Sequence, residues 1–553
     1  MIARRPLTNR RGVRATLHAI IALALCVPCR AEAPPATSEP TDVEHQTTLL
    51  REALHDYLAA DASRDRSLDE EVRAMCDSLA EALVLDVLGA SAVEFERRAV
   101  LLAIEGVKSP LVDFAFAVAL DQAPVEGSPM GDKQKPGERF DSAMAAMLNG
   151  TPKAPTILIY EAADATSMWA GREGDDKLRH KTLGLRARSL VELAKERGLA
   201  GAGGKPNPLD LRMITRLATH ELEQLPPDLR STFVNSLLGL SNVHPYLREI
   251  VLGLADMQAG WDERGTGTMN TVGKNNYESF KKRLTSAYGH LREAWKIDPS
   301  LPHAPTALIT VAMGGVSEER DPVMTWFDRA VKAQYNHKAA YTAVVQALMP
   351  RWGGSAEALE AFGARCIEQG RFETGIPGVY LDTLLANARE FGDLRWLKDP
   401  RVSRRLDEME KGFRAAKNEH WTGRINAWRA LVALATDDYG RFATMTDPSA
   451  FEMDRSIFSR LRIDSVRIGR SIWAHTGPTA SEVAKADGML RSRKFADAGK
   501  AYSAILATLE SEGARSSGAW PFAIWWPGAN SRPRSSAAIG SNRARKWPFP
   551  DGK

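Results

Sequence analysis

Residues 284–299 read LTSAYGHLREAWKIDP, and the spacing within this stretch decides the fold class. Ala287, Leu291 and Ala294 precede Pro299 by twelve, eight and five residues. Small side chains let a neighbouring helix approach closely, a large apolar side chain fills the gap, and a proline ends the helix. The spacing therefore predicts the second helix of a helical hairpin.

Related spacing recurs within 321–335 and within 481–509. Apolar residues three or four apart predict helices along almost all of 47–513. Only 155–160 resembles a strand, and a buried helix start explains it equally well. Hairpins of this kind stack in the manner of tetratricopeptide repeats. We therefore predict an all-α fold, an irregular tetratricopeptide-like helical-hairpin array that is α-solenoid-like.

The first 31 residues have the pattern of a secretory signal peptide. Several arginines precede the apolar run 17–27, which is too short to span a bilayer stably. Small residues follow the run, and cleavage after Ala31 is favoured. We expect a periplasmic or secreted protein with no transmembrane helix in the mature chain.

Composition divides the remaining chain. We expect a linker at 32–46, an N-terminal helical region at 47–240, a central tetratricopeptide-like domain at 241–400, a C-terminal helical region at 401–513, and a disordered tail rich in Trp, Arg and Pro at 514–553.

The formal net charge of +4 comes from the two ends of the chain. Outside 1–31 and 515–553, 60 basic residues face 68 acidic ones, a balance of −8. A mildly acidic body lacks the basic surface that nucleic-acid binding requires. We therefore predict no nucleic-acid partner.

A first candidate binding loop contains Trp261, Arg264, Gly265 and Gly267. It could hold an anion, because arginine offers a planar fork of donors and glycines let backbone N–H groups approach a ligand. The structural interpretation is that Trp261 extends the buried stripe, Arg264 pairs with a nearby acid, and the glycines end the helix. The sequence favours this second interpretation.

A second candidate loop contains Arg351 and Trp352, which could form a binding lip with the arginine stacked on the indole. The alternative is a tight turn between helices in which Ser355 caps the next helix. Tyr277 is added to the candidate residues because it could line a groove beside the predicted helix 275–297.

The Trp-x-x-Arg-Gly-x-Gly loop at 261–267 and the Pro-Arg-Trp-Gly-Gly-Ser run at 350–355 carry a family resemblance. Together they resemble a bacterial family known only as a domain of unknown function with tetratricopeptide-like helices. The resemblance covers roughly 225–395. It implies an α-helical repeat fold and implies no activity.

Patterns for a phosphate loop, a zinc-binding helix and a nucleophile elbow do not occur in the chain. We therefore assign no catalytic residue, no metal ligand and no cofactor. The favoured function is an exported helical-repeat scaffold that binds a protein or peptide partner. The alternative is an enzyme of unknown class with its site where the two loops converge. Partner identity and oligomeric state stay open.

Overall fold

The computed structural model describes residues 41–60, 69–85, 110–122, 136–201, 206–265, 267, 271–319, 322–392, 394–446, 456–461 and 480–515, together with isolated residues at 95–109 and 453–454. These residues form helices and turns and contain no strand, so the all-α prediction is confirmed. They fall into two compact units, one ending at Ala358 and the other beginning at Leu359. That boundary lies inside the stretch 241–400, which the sequence analysis treats as one domain.

The α-helices of the first unit are α1 (Asp42–Ala60), α2 (Asp69–Leu85), α3 (Pro110–Gln122), α4 (Pro136–Asn149), α5 (Thr156–Glu173), α6 (Asp176–Glu196), α7 (Pro208–Gln224), α8 (Pro227–Leu238), α9 (Pro245–Arg264), α10 (Lys274–Ile297), α11 (His303–Met313), α12 (Pro322–Ala333) and α13 (Lys338–Ala347).

Helix α14 (Ala356–Glu368) contains the boundary between the units. The helices of the second unit that follow it are α15 (Val379–Phe391), α16 (Pro400–Ala415), α17 (Thr422–Ala435), α18 (Tyr439–Met445), α19 (Ser456–Arg460), α20 (Ala480–Arg491) and α21 (Phe495–Arg515).

The predicted linker at 32–46 is wrong at its C-terminal end, because α1 already begins at Asp42. The Thr41 N–H donates to Glu44 Oε2 at 2.7 Å, and the Glu44 N–H donates to Thr41 Oγ1 at 3.1 Å. This reciprocal capping box satisfies two of the N–H groups that a helix start leaves unpaired. The predicted signal peptide and most of the predicted tail lie outside the described residues.

Helices α9 and α10 form the closest hairpin of the first unit, and glycine makes the close approach possible. A Cβ on Gly253 would lie 2.6 Å from Leu291 Cγ, and a Cβ on Gly260 would lie 3.0 Å from Arg283 Cβ. These two glycines are seven residues apart, so they occupy one face of α9. Leu291 is fully buried against the bare backbone of α9. The large residue of the opening motif therefore fills the gap, as the spacing predicts.

The same buried face of α10 also contacts the residues that follow α11. A Cβ on Gly314, just after α11, would lie 2.2 Å from Leu284 Cδ1. The Tyr288 hydroxyl accepts a hydrogen bond from the Glu318 N–H at 3.2 Å. The buried face of α10 therefore contacts both α9 and the α11 region.

The same hairpin arrangement joins other consecutive helices: α1 with α2, α3 with α4, α5 with α6, α11 with α12, and, in the second unit, α20 with α21. In the last of these, Ala486 and Ile505 are buried in the contact, but Phe495 is 66% exposed. Phe495 opens α21 and therefore lies at the end of the contact. Among the described helices, none is both long and apolar enough to cross a bilayer.

We expect Leu291→Ala to lower the free energy of unfolding by about 2–5 kcal/mol, because it removes buried apolar surface and leaves a cavity between α9 and α10. Denaturant unfolding followed by circular dichroism measures the effect. Leu490→Ala, at a position 46% exposed on α20, is the control and should change stability by less than about 0.5 kcal/mol. Equal losses in the two variants would contradict the importance of this contact.

Candidate functional site

The last turn of α9 places Trp261 and Arg264 side by side, because residues three apart share a helix face. Gly265 then ends the helix with a φ of 72°, and its N–H donates to the Trp261 carbonyl at 3.0 Å. Glycine adopts this left-handed backbone at little cost. Trp261 packs edge-to-face on Phe280 of α10, with ring centroids 4.8 Å apart. The end of α9 is thereby fixed against α10.

The second predicted loop reaches the same place. Residues Pro350–Trp352 form a 3-10 turn, and Gly353 follows with a φ of 95°. A Cβ on Gly354 would lie 1.9 Å from a backbone oxygen of the preceding turn, so only glycine fits there. The turn presents the Trp352 ring edge-to-face to Trp261, with centroids 5.4 Å apart. Two loops about ninety residues apart in sequence therefore meet.

Arg264 lies among these rings. Its guanidinium carbon is 5.1 Å from the ring centroid of Trp352, 5.5 Å from that of Trp261 and 5.9 Å from that of Phe280. The residue is only 8% exposed, and its Nη1 donates to the Gly265 carbonyl at 3.0 Å. We call Trp261, Arg264, Phe280 and Trp352 the Arg264 cage. It offers a buried positive charge and aromatic surfaces.

The acids next to Arg264 in sequence are engaged elsewhere. Asp262 pairs with Arg230 at 2.5 Å, and Glu263 Oε1 lies 3.4 Å from Arg283 Nε. Within the described residues, no carboxylate oxygen lies within 4 Å of the Arg264 guanidinium. The sequence-based interpretation that Arg264 pairs with a nearby acid is therefore wrong as far as the described residues are concerned, since Asp262 and Glu263 pair with other arginines.

The other predicted residues lie around the cage or beside it. Tyr277 is partly buried, and its ring centroid is 6.4 Å from that of Phe280. Gly265 and Gly267 are exposed in the loop after α9, and Arg351 is exposed in the turn that carries the second indole. Sequence reasoning missed Phe280 as a site residue, because it falls in the buried stripe of α10.

A second group of polar side chains is buried between α5, α6 and α7. Arg186 Nε lies 2.6 Å from Glu221 Oε1, and Arg186 also forms an ion pair with Asp164. The Tyr160 hydroxyl donates to the same Glu221 oxygen at 2.8 Å. Arg186 and Glu221 are almost completely buried. The two charges compensate each other across the helices, as buried charges require.

Hydrogen bonds extend this group to α1. Arg216 Nε donates to Asp42 Oδ2 at 2.6 Å, and Arg216 Nη2 donates to the side-chain oxygen of Gln46. The Gln46 amide in turn donates to Glu161 Oε1. We call the residues linked in this way, together with Arg186 and its partners, the polar cluster. It connects α1 with α5 and α7 and is a stabilising network in an all-α core.

Burial sets the protonation of this cluster. Burial and, to a smaller extent, the charge of Asp164 together raise the pKa of Glu161 to about 8. Burial also raises the pKa of Glu221. Burial alone would raise the pKa of Asp164, but a hydrogen bond from His220 and the charge of Arg186 lower it. Glu161 is therefore protonated at neutral pH while Asp164 carries a charge.

Two histidines occupy a neighbouring buried position. The rings of His303 and His337 meet edge-to-face with centroids 5.2 Å apart. Burial lowers the pKa of His303 well below its ordinary value, and burial lowers that of His337 to about 4. Both imidazoles are therefore neutral at neutral pH. The described residues contain no group of three or more His, Cys, Asp or Glu placed to hold a metal ion.

The polar cluster was not predicted, although the sequence contains a signal for it. Glu161 interrupts an apolar run, and Glu221 lies four residues after Leu217 and seven after Ile214 on the buried face of α7. A carboxylate in phase with a buried stripe indicates a buried charge that needs a partner. The partners come from other helices, so the sequence alone does not name them.

Comparisons with protein-family models, with curated proteins and with solved structures found no match for this chain. The resemblance to the bacterial family of unknown function therefore stays a prediction.

Glu161→Gln should make stability less dependent on pH between about 4.5 and 8. The pKa of Glu161 in the folded chain lies above its value in the unfolded chain, so the stability it contributes is present at low pH and is lost as pH rises to about 8. From pH 5 to 8.5, we expect the wild type to lose about 3–4 kcal/mol relative to the variant, because each pH unit between 5 and the folded-state pKa costs about 1.4 kcal/mol.

Denaturant unfolding at several pH values measures this difference. Exposed Glu52→Gln on α1 is the control and should keep the wild-type pH profile. Parallel profiles for the wild type and Glu161→Gln would contradict the assigned protonation.

His303→Gln tests the acidic side. The pKa of His303 is lowered on folding, so its contribution to stability is present above about pH 6.5 and is lost as the unfolded chain takes up a proton at lower pH. Between pH 6.5 and 5, we expect the wild type to lose about 1 kcal/mol more stability than this variant. Exposed His180→Gln serves as the comparison and should follow the wild type.

Proposed function

We propose that this chain is an exported helical-repeat scaffold that binds a protein or peptide partner, with the Arg264 cage as the recognition site. The observation that carries the proposal is the meeting of two distant loops around Arg264. Both motifs of the family resemblance contribute to this meeting. One supplies Trp261 and Arg264, and the other supplies Trp352.

The composition of the cage supports binding. Tryptophan and arginine are the residues most often found to dominate the energy of protein interfaces, because they combine a large apolar surface with a polar end. Trp261 and Trp352 are partly exposed, and Tyr277 adds a third partly exposed ring at the edge. Contact with a partner would bury these surfaces and gain further free energy.

Chemistry at the cage itself is disfavoured. An arginine keeps its proton at any physiological pH, and tryptophan and phenylalanine do not exchange protons there. These side chains can hold a ligand and stabilise its charge, but general acid–base catalysis needs a group that changes protonation near neutral pH. The enzyme alternative therefore receives no support from the residues that form the cage.

Selection of binding peptides tests the proposal. A random-peptide display library is panned on the immobilised chain, and the affinities of the selected peptides are measured for the wild type and for Trp352→Ala. Loss of a central aromatic contact costs about 2 kcal/mol, so we expect binding to weaken roughly thirtyfold.

Trp396→Ala, at another partly buried tryptophan in the second unit, is the matched control and should keep wild-type affinity. Circular dichroism and thermal unfolding check that both variants fold. Failure to select any peptide, or equal affinity of the selected peptides for the wild type and Trp352→Ala, would count against the cage as a partner-binding site.

A further inference from the structure

The Arg264 cage is one of three similar pairs in the described residues, in which an arginine lies over the indole ring three positions earlier. The guanidinium carbon is 4.2 Å from the ring centroid in Trp326–Arg329 and 5.2 Å in Trp421–Arg424. In Trp261–Arg264 the distance is 5.5 Å. Three copies of one local arrangement in one chain allow the surroundings of each arginine to be compared.

In two of the three pairs, a carboxylate of the chain itself completes the arrangement. Arg329 Nη1 lies 3.0 Å from Glu319 Oε1, and Arg424 Nε lies 3.6 Å from Asp454 Oδ2. The third arginine, Arg264, is more deeply buried than these two. Its polar contact is the Gly265 carbonyl, and no described carboxylate lies within ion-pair distance. Among the described residues, Trp261–Arg264 is therefore the pair with the most deeply buried arginine and the pair that lacks a carboxylate.

Burial makes that deficit costly. A charged group removed from water is stable only when it is paired or well hydrogen-bonded. A carbonyl satisfies one donor of the guanidinium but supplies no negative charge, and the faces of the two indoles supply only a weak electrostatic attraction. The cage is therefore arranged to gain free energy from an added anion.

The indole N–H groups of Trp261 and Trp352 add donors to the same place. Both Nε1 atoms are buried and have no hydrogen-bond acceptor among the described residues. Buried tryptophan N–H groups usually find a partner. The Nε1 of Trp326 is also buried and without an acceptor among the described residues, although Arg329 beside it has its own carboxylate. The indole N–H groups are therefore secondary evidence, and the main evidence for an anion site is Arg264.

Open space lies beside the cage. Gly265 follows the arginine, Gly353 follows the second indole, and both are exposed. A Cβ built on either glycine would meet no atom of the described residues within 4 Å. A ligand group can therefore approach the rim of the cage without displacing a side chain at these two positions.

We propose that the Arg264 cage binds a carboxylate group of the partner, in the place that Glu319 and Asp454 occupy in the other two pairs. This inference rests on the proposed function and deepens it, because it names the chemical group that is recognised. A carboxylate matches the planar guanidinium and can accept two parallel N–H bonds. An acidic side chain and a peptide C-terminus both provide one.

The test uses the full chain labelled with [15N]tryptophan, and follows the indole N–H signals while sodium benzoate is added at constant ionic strength. Trp261→Phe and Trp352→Phe assign the two signals of the cage. Benzamide, which has nearly the same shape without the charge, is the matched ligand control, and inorganic phosphate tests another anion. We expect saturable shifts of the two signals with benzoate at millimolar concentrations, and at least about tenfold weaker binding of benzamide and phosphate.

Variants of matched arginines complete the test. Arg264→Gln should abolish the benzoate shifts, whereas Arg329→Gln, in a pair that already has its own carboxylate, should leave them unchanged. The remaining indole signals report whether each variant is folded, and the comparison of benzoate with benzamide needs no variant at all. The inference is overturned if benzoate gives no shift, if benzamide or phosphate shifts the signals equally, or if the shifts persist in Arg264→Gln.

Peptides from the display selection separate this inference from the proposed function. Replacing Asp and Glu by Asn and Gln tests side-chain carboxylates, and amidation tests the C-terminus. If neither change weakens cage-dependent binding, the carboxylate inference fails while partner binding stands. If benzoate binds but no peptide is selected, the anion site stands and the proposed function fails.

Discussion

The contact between Leu291 and the bare backbone at Gly253 sets the distance between α9 and α10, and the site depends on that distance. No Cβ fits at Gly253, and Gly260 repeats the close approach one heptad later. The two helices therefore stay close as far as the end of α9. There Trp261 reaches Phe280, and Arg264 is carried under the rings by helical spacing alone. A larger distance between α9 and α10 would remove the contacts of Trp261 and Arg264 with Phe280.

Close packing of the α11 region on α10 brings the second loop to the same position. Gly314 leaves room for Leu284, so α11 lies against α10, and α11 packs in turn on α13. The end of α13 leads into the turn that presents Trp352. The turn is tight because Gly354 lies against the backbone before it. The site is therefore a consequence of successive helix contacts within one unit, and glycines permit the contacts of α9 with α10 and of α10 with the α11 region.

Local features were predictable from the sequence because they depend on neighbours in the chain. Ser355 accepts a hydrogen bond from the Ala358 N–H at 3.1 Å, as the predicted helix cap should. The loop residues were found one by one, and the sequence offered their meeting only as part of the enzyme alternative, since it depends on the packing of four helices. The partners of Arg264 and of Glu161 were hidden for the same reason: a sequence shows which charge is buried, and only the fold shows what compensates it.

The polar cluster and the Arg264 cage differ in how their buried charges are compensated. This difference underlies the roles assigned to them, stability for the polar cluster and the proposed recognition for the cage. In the polar cluster, Arg186 finds Glu221 and Arg216 finds Asp42, so the charges are balanced within the protein. Such a network has little left to offer a ligand, because any new group would have to displace an existing partner. Arg264 is held as firmly by its aromatic neighbours, yet its charge is balanced by no described carboxylate. A protein that leaves Arg264 unbalanced among its described residues, while it pairs Arg186 and Arg216, has free energy to gain from a carboxylate that a ligand supplies, and this is the basis of the proposed site.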